Sequence, residues 1–200
     1  MMNFKRYKYL ILSDLYRYGG AKGKIAFFKF FYIGEGFTYS FWMRTSSYTR
    51  EHKILKYFLY PIAKIILSHY VYKLGISIPK TTKIDSGFYI GHFGTIIING
   101  NCIIGKNCNI SQGVTLGQAN RGKNKGVPRV GNNVYIGPGV KIIGNITIGN
   151  DVALGANCVV TKDIPDNSVV VGIPAKIISS KGSKGYVNFI NYDEKLNIGL

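Results

Sequence analysis

The chain has 200 residues, with 26 Lys+Arg against nine Asp+Glu and a formal net charge of +17, long enough for one domain with a sizeable core. Three cysteines (Cys102, Cys108, Cys158) and three histidines (His52, His69, His92) show no metal-ligand spacing, which argues against a metal enzyme and for no metal in the site. An odd cysteine count without a signal peptide points to a reducing cytoplasm.

Residues 1–75 form a basic, aromatic-rich segment, with 13 Lys+Arg against three acidic residues and 20 of the 27 aromatics. The opening MMNFKRYKYLILSDLYRYGG has an apolar core too short for a secretory signal. The stretch from Ile54, ILKYFLYPIAKIILSHYVYKLGI, is broken by Lys56, Pro61, Lys64 and His69, so it predicts two short amphipathic helices rather than a membrane span. Two roles stay open for this segment. Its aromatics pack the helices on each other and cap the open end of the repeat that follows, or they dock with the lysines on an anionic membrane surface. The second role would make a cytoplasmic protein peripheral to the inner face of the plasma membrane. No nucleic-acid motif accompanies the charge, so no nucleic-acid partner is expected.

From residue 130 the period is six. Val130, Ile136, Ile142, Ile148, Leu154 and Val160 recur without slippage, and Gly131, Gly137, Gly149 and Gly155 follow four of them. A second apolar residue sits four positions on, as in Val134, Val140, Ile146 and Val152. Hexapeptide periods mark a parallel β-helix whose coils take about 18 residues each. The register continues upstream through Ile84, Ile90 and Ile96, then Ile104, Ile110 and Leu116. Residues 84–165 thus predict four coils plus ten extra residues. Two of these fall near Asn99-Gly100, read as a turn or bulge. Eight precede Val130 in the polar run QANRGKNKGVPR, which predicts a protruding loop over 117–129 on the solenoid at 76–180. The 181–200 tail shows no period and is expected to be mobile.

Within the repeat only His92 offers an imidazole, two residues past the inward Ile90 and between Gly91 and Gly94. Glycine flanks leave room for a ligand, and a lone imidazole serves as general base near neutral pH. A surface histidine without function is the alternative. Cys108 and Cys158 fall at inward positions and read as small core residues.

The segments GFYIGHFGTIIINGNCIIGKNCNISQGVTLG, PRVGNNVYIGPGVKIIGNITIGNDVALGANCVV and VVVGIPAK, spanning about Gly75 to Ser180, resemble the serine acetyltransferase branch of the hexapeptide-repeat acyltransferases. The resemblance implies a left-handed parallel β-helix, a homotrimer, and acetyl-CoA as co-substrate in the groove between neighbouring solenoids. It makes His92 the catalytic base toward an acceptor hydroxyl. It also implies cofactor contacts at Thr115 and Gly117, and at Gly137, Gly139, Gly155 and Ala156 along a narrow channel. By charge, Arg121 and Lys123 in the loop suit phosphates or an anionic glycan, and Lys176 and Lys181 suit a 3′-phosphate; the alternative for all four is ordinary solvated charge. Lys125 and Arg129 extend the loop cations. Ser77, Asn109 and Gln112 are the candidate acceptor contacts.

Three departures shape the expected acceptor. Gly91 stands where the serine enzymes carry an aspartate before the histidine, Ser77 where a second aspartate orients it, and Gly126-Val127 where an Arg-His pair contacts the amino acid. Without these handles the pattern is more similar to relatives from capsule, exopolysaccharide and lipopolysaccharide gene clusters, a resemblance that implies O-acetylation of a sugar hydroxyl, with a carbohydrate acceptor as partner. The alternatives are a serine O-acetyltransferase of cysteine biosynthesis, a sugar N-acetyltransferase, and a non-catalytic basic scaffold on a membrane or polyanion.

Overall fold

A computed structural model describes residues 2–196. Helices α1 (Phe4–Tyr16), α2 (Gly23–Ile33), α3 (Glu35–Glu51), α4 (Leu55–Phe58) and α5 (Tyr60–Leu74) come first. Gly75 ends α5 in the left-handed region (φ 63°), a helix stop that glycine adopts without a Cβ penalty. Short strands then wind a left-handed parallel β-helix, in agreement with the hexapeptide register.

Each coil contributes one strand to each of three walls. Wall A holds β1 (Ile76–Ser77), β4 (Ile96–Ile98), β7 (Thr115–Gly117), β10 (Lys141–Ile143) and β13 (Val159–Val160). Wall B holds β2 (Lys83–Ile84), β5 (Ile103–Ile104), β8 (Arg129–Val130) and β11 (Thr147–Ile148). Wall C holds β3 (Tyr89–Ile90), β6 (Asn109–Ile110), β9 (Tyr135–Ile136), β12 (Ala153–Leu154) and β14 (Val169–Val171), closed by the antiparallel β15 (Lys176–Ser179). Inward residues come in i, i+2 pairs such as Val134/Ile136 and Cys158/Val160, all buried. They stack coil on coil into one apolar column.

Strand pairing corrects the sequence on where the first coil is long. Ile90 pairs with Ile110 and Ile98 with Leu116, so eight residues lead from wall C to wall A in the first coil and six in the second. The two extra residues therefore lie in the corner that carries His92, not at Asn99-Gly100. Ile96 and Ile98 both point inward, and the hexapeptide count had attached to the wrong one of the pair.

The helices close the solenoid's N-terminal end. Tyr39, Met43, Leu67 and Leu74 join its core, and the Tyr39 hydroxyl accepts from the Ile78 N–H. Asp14 and Arg44 form a buried ion pair (2.9 Å). Around it, Arg44 donates to the carbonyls of Ile84 and Asp85, and Asp14 accepts from the Phe88 N–H. Such a pair is tolerated inside because its remaining valences are met.

The tail is ordered over its described part, contrary to the expected mobility. Residues 181–196 run back along the corner between walls B and C as a strap. Ser183 donates to the Asn133 carbonyl, the Tyr186 ring stacks on Tyr135, and Tyr192 is buried with its hydroxyl on Asn107. Polar contacts to main chain and corner asparagines hold it, and such contacts leave no hydrophobic period in sequence.

Candidate active site

The lengthened corner projects His92. Gly94 (φ 109°) and Thr95 (φ 51°) take left-handed backbone, so the chain bows outward before re-entering wall A at Ile96. His92 is exposed, and its neighbour Phe93 is half exposed. The Gly94 carbonyl accepts from the Gly113 N–H, the Gln112 carbonyl from Gly139, and the Pro138 carbonyl from Asn157. A single file of corners (His92, Gln112, Pro138, Ala156) thus runs along one edge of the solenoid.

Gln112 and Ala156 are exposed on this file, in line with His92. The glycines beside them have a nearer task. A Cβ on Gly137 would meet the Leu154 carbonyl, one on Gly155 would meet Val171, and one on Gly139 (φ 73°) would overlap the Asn157 side chain. Close stacking of successive coils accounts for all three before any ligand is considered.

Wall A flanks the file. Its outward row is Ser77, Ile97, Thr115, Lys141 and Val159, by strand pairing. Ser77 is exposed, Thr115 half-buried, and Gly117 packs where a Cβ would meet Ile143. Sequence reasoning missed Lys141, whose ammonium donates to the Gly113 carbonyl at the corner. The only sequence signal for it is an outward lysine in an aliphatic hexapeptide.

Asn109 does not face this site. It is buried on wall C, accepting from Arg17 (2.6 Å) and donating to the Tyr186 carbonyl (2.9 Å). The strap and α1 consume it, so it is withdrawn as an acceptor contact.

The loop 117–129 folds into a hairpin bridged by Ala119 and Gly126, pinned by Asn124 on the Thr161 carbonyl. It springs from the corner between walls A and B. His92 stands at the opposite edge of wall A, about 10 Å away for a three-residue strand. Arg121, Lys123, Lys125 and Arg129 are exposed but not gathered with His92 within one protomer. Lys176 and Lys181 are also exposed, near the last coil. At about 4.8 Å per coil, Lys176 lies roughly 20–25 Å along the axis from the His92 corner.

The thiols take no part. Burial pushes Cys108 up to about 12, and Cys102 and Cys158 up to about 11, so neither nucleophilic thiolate nor metal ligand forms readily. No cluster of three or more His, Cys, Asp or Glu side chains fit to hold a metal occurs among the described residues.

A hexapeptide solenoid with an exposed corner imidazole defines the class of hexapeptide acyltransferases. Residues 128–162 match the model of the bacterial transferase hexapeptide (six repeats) family. The chain is 36% identical over 153 residues to a serine acetyltransferase of Bacillus pumilus, covering 76% of this chain and 70% of that one. To one of Staphylococcus epidermidis it is 39% identical over 138 residues, covering 69% and 65%. The structure of a Brucella abortus serine acetyltransferase in complex with coenzyme A superposes with a TM-score of 0.73 at 25% identity, covering 90% of this chain and 70% of that one. A serine acetyltransferase in complex with cysteine gives 0.66 at 27%, covering 84% and 68%. The chain belongs to the serine acetyltransferase family, and it is an acyltransferase.

These relatives overturn the sugar acceptor expected from the sequence and favour its serine O-acetyltransferase alternative over both the sugar and the scaffold readings. The sugar acceptor rests on the departures at Gly91, Ser77 and Gly126-Val127, and the similarity to serine acetyltransferases at 36–39% identity shows that these departures do not exclude serine.

Proposed function

We propose that the protein transfers the acetyl group of acetyl-CoA to the hydroxyl of L-serine, with His92 as general base. The observation that carries this reading is the projecting His92 corner on a chain 36% identical to a serine acetyltransferase over 76% of its length. The imidazole takes the proton of the serine hydroxyl as its oxygen attacks the thioester carbon. The tetrahedral adduct collapses with cleavage of the carbon–sulfur bond, and the CoA sulfur leaves with the proton that the imidazolium returns.

The site is shared between protomers of a trimer. The His92 corner and wall A of one solenoid face the loop of the next, which brings Arg121 and Lys123 to phosphates or to the serine carboxylate. The corner file with Gln112, Ala156 and Lys141 guides the extended arm of CoA, and Lys176 and Lys181 lie toward its far end. Ser77, exposed on the same wall, is the acceptor contact nearest in register to His92.

The test is release of free CoA from acetyl-CoA with L-serine as acceptor, wild type against His92→Ala. Serine-dependent release, falling at least about 100-fold in the variant with assembly intact, supports the reading. Serine-independent release, or full activity in the variant, overturns it.

A further inference from the structure

Two helices of the N-terminal region are turned the wrong way for a surface helix. α2 packs Phe27 and Phe31 against Phe41 and Trp42, yet its opposite stripe is Ile25, Phe28 and Tyr32, at i, i+3 and i+7. Ile25 is 88% exposed and Tyr32 79%. An amphipathic surface helix shows solvent a polar stripe, and one apolar on all sides is covered by something. α5 repeats the arrangement. It buries Ala63, Leu67 and Leu74 and presents Ile62, Ile65 and Tyr72, the last two 71% and 87% exposed.

The polar residues around these stripes are nearly all cationic. Lys24 and Lys29 flank the apolar stripe of α2, and Lys64 and Lys73 that of α5; all four are exposed. Of the three acidic residues among positions 1–75, Asp14 is buried against Arg44 and Glu51 accepts from the Met2 N–H, which leaves Glu35. A second copy docked through the same face would set lysine against lysine with almost no counter-charge, which costs free energy at close range. No helix among the described residues is long and apolar enough to cross a membrane.

We infer that the outer stripes of α2 and α5 bind an anionic lipid bilayer in its interfacial plane. Aromatic and aliphatic side chains enter the headgroup–acyl boundary and the lysines pair with lipid phosphates. The inference stands apart from the acetyl-transfer reading.

The experiment is flotation of the full-length protein with vesicles of phosphatidylcholine alone or with about one-third phosphatidylglycerol. The wild type should float only with the anionic vesicles, at least about tenfold less at high salt. Ile25→Glu/Ile65→Glu should reduce flotation at least about tenfold, since each change puts a charge into the apolar layer, while melting temperature and CoA release stay at wild-type values. Absence of flotation by the wild type overturns the inference, as does equal flotation by the double variant. A fall in assembled mass of the variant by light scattering, with the wild type indifferent to vesicles, also overturns it and assigns the face to contacts between copies.

Discussion

Arg17 donates to Asn109 Oδ1 at 2.6 Å, so the last turn of the first helix is bolted to the outer face of the second coil. The same guanidinium donates to the carbonyls of Gly87 (2.7 Å) and Asn188 (2.8 Å), joining helix, first coil and strap at one point. Burial lowers its pKa, yet three acceptors keep it charged and satisfied.

Arg17→Ala should therefore cost about 3–5 kcal/mol, because it strands several buried acceptors at about 1–3 kcal/mol each. Urea denaturation measures the loss. Limited proteolysis should show new cleavage within 181–196, whose anchor at Asn188 is gone.

Gly139→Ala separates coil stacking from ligand access. The alanine meets both a left-handed φ and the Asn157 side chain, so stability should fall by about 2 kcal/mol or more. Ala156→Trp, on the exposed corner of the same file, should leave the melting temperature unchanged and raise the KM for acetyl-CoA about tenfold, if that corner guides CoA.

Deleting Phe93-Gly94 restores six residues between wall C and wall A, the spacing that Ile110 and Leu116 already fold with. The shortened protein should keep its circular dichroism and assembly while losing activity at least about 100-fold, like His92→Ala. Activity within a few-fold of wild type would show that the outward bow has no part in presenting the imidazole.

Alkali should destabilise the fold through its thiols. Burial raises Cys102 and Cys158 to about 11 and Cys108 to about 12, from 9.0. The neutral form is thus favoured in the native state, and the stabilisation is complete below about pH 9. It is lost as pH climbs toward the folded values, by about 1.4 kcal/mol per pH unit for each thiol that ionises on unfolding. Denaturation midpoints at pH 8, 9 and 10 should fall progressively at the upper end, and Cys108→Ala should flatten the decline.

The solenoid was legible because each coil repeats one local rule, an inward i, i+2 pair and a glycine that lets the next coil approach. From Val130 to Val160 the inward pair recurs without exception, and the glycine follows in four of the six repeats. The rule misled at Ile96, since either member of an inward pair satisfies the period and only pairing with Ile76 and Val114's neighbours distinguishes them. The exposure of His92 was readable from its glycines. Asn109 was not, because its partners Arg17 and Tyr186 lie 92 and 77 residues away. The acceptor was misjudged because three departures, at Gly91, Ser77 and Gly126-Val127, carry less weight than the overall similarity to serine acetyltransferases.

The strap changes how the repeat unfolds. A stack of coils held only by nearest neighbours can fray from either end, with stability a sum of local terms. Here residues 181–196 tie the coil containing Asp151 to Asn133, then to Asn107, and finally to α1 through Tyr9 and Asp193. The two ends of the stack are thereby latched to each other, and opening either one requires releasing the other. A linear array becomes a closed circuit, and thermal melting should proceed as one concerted step.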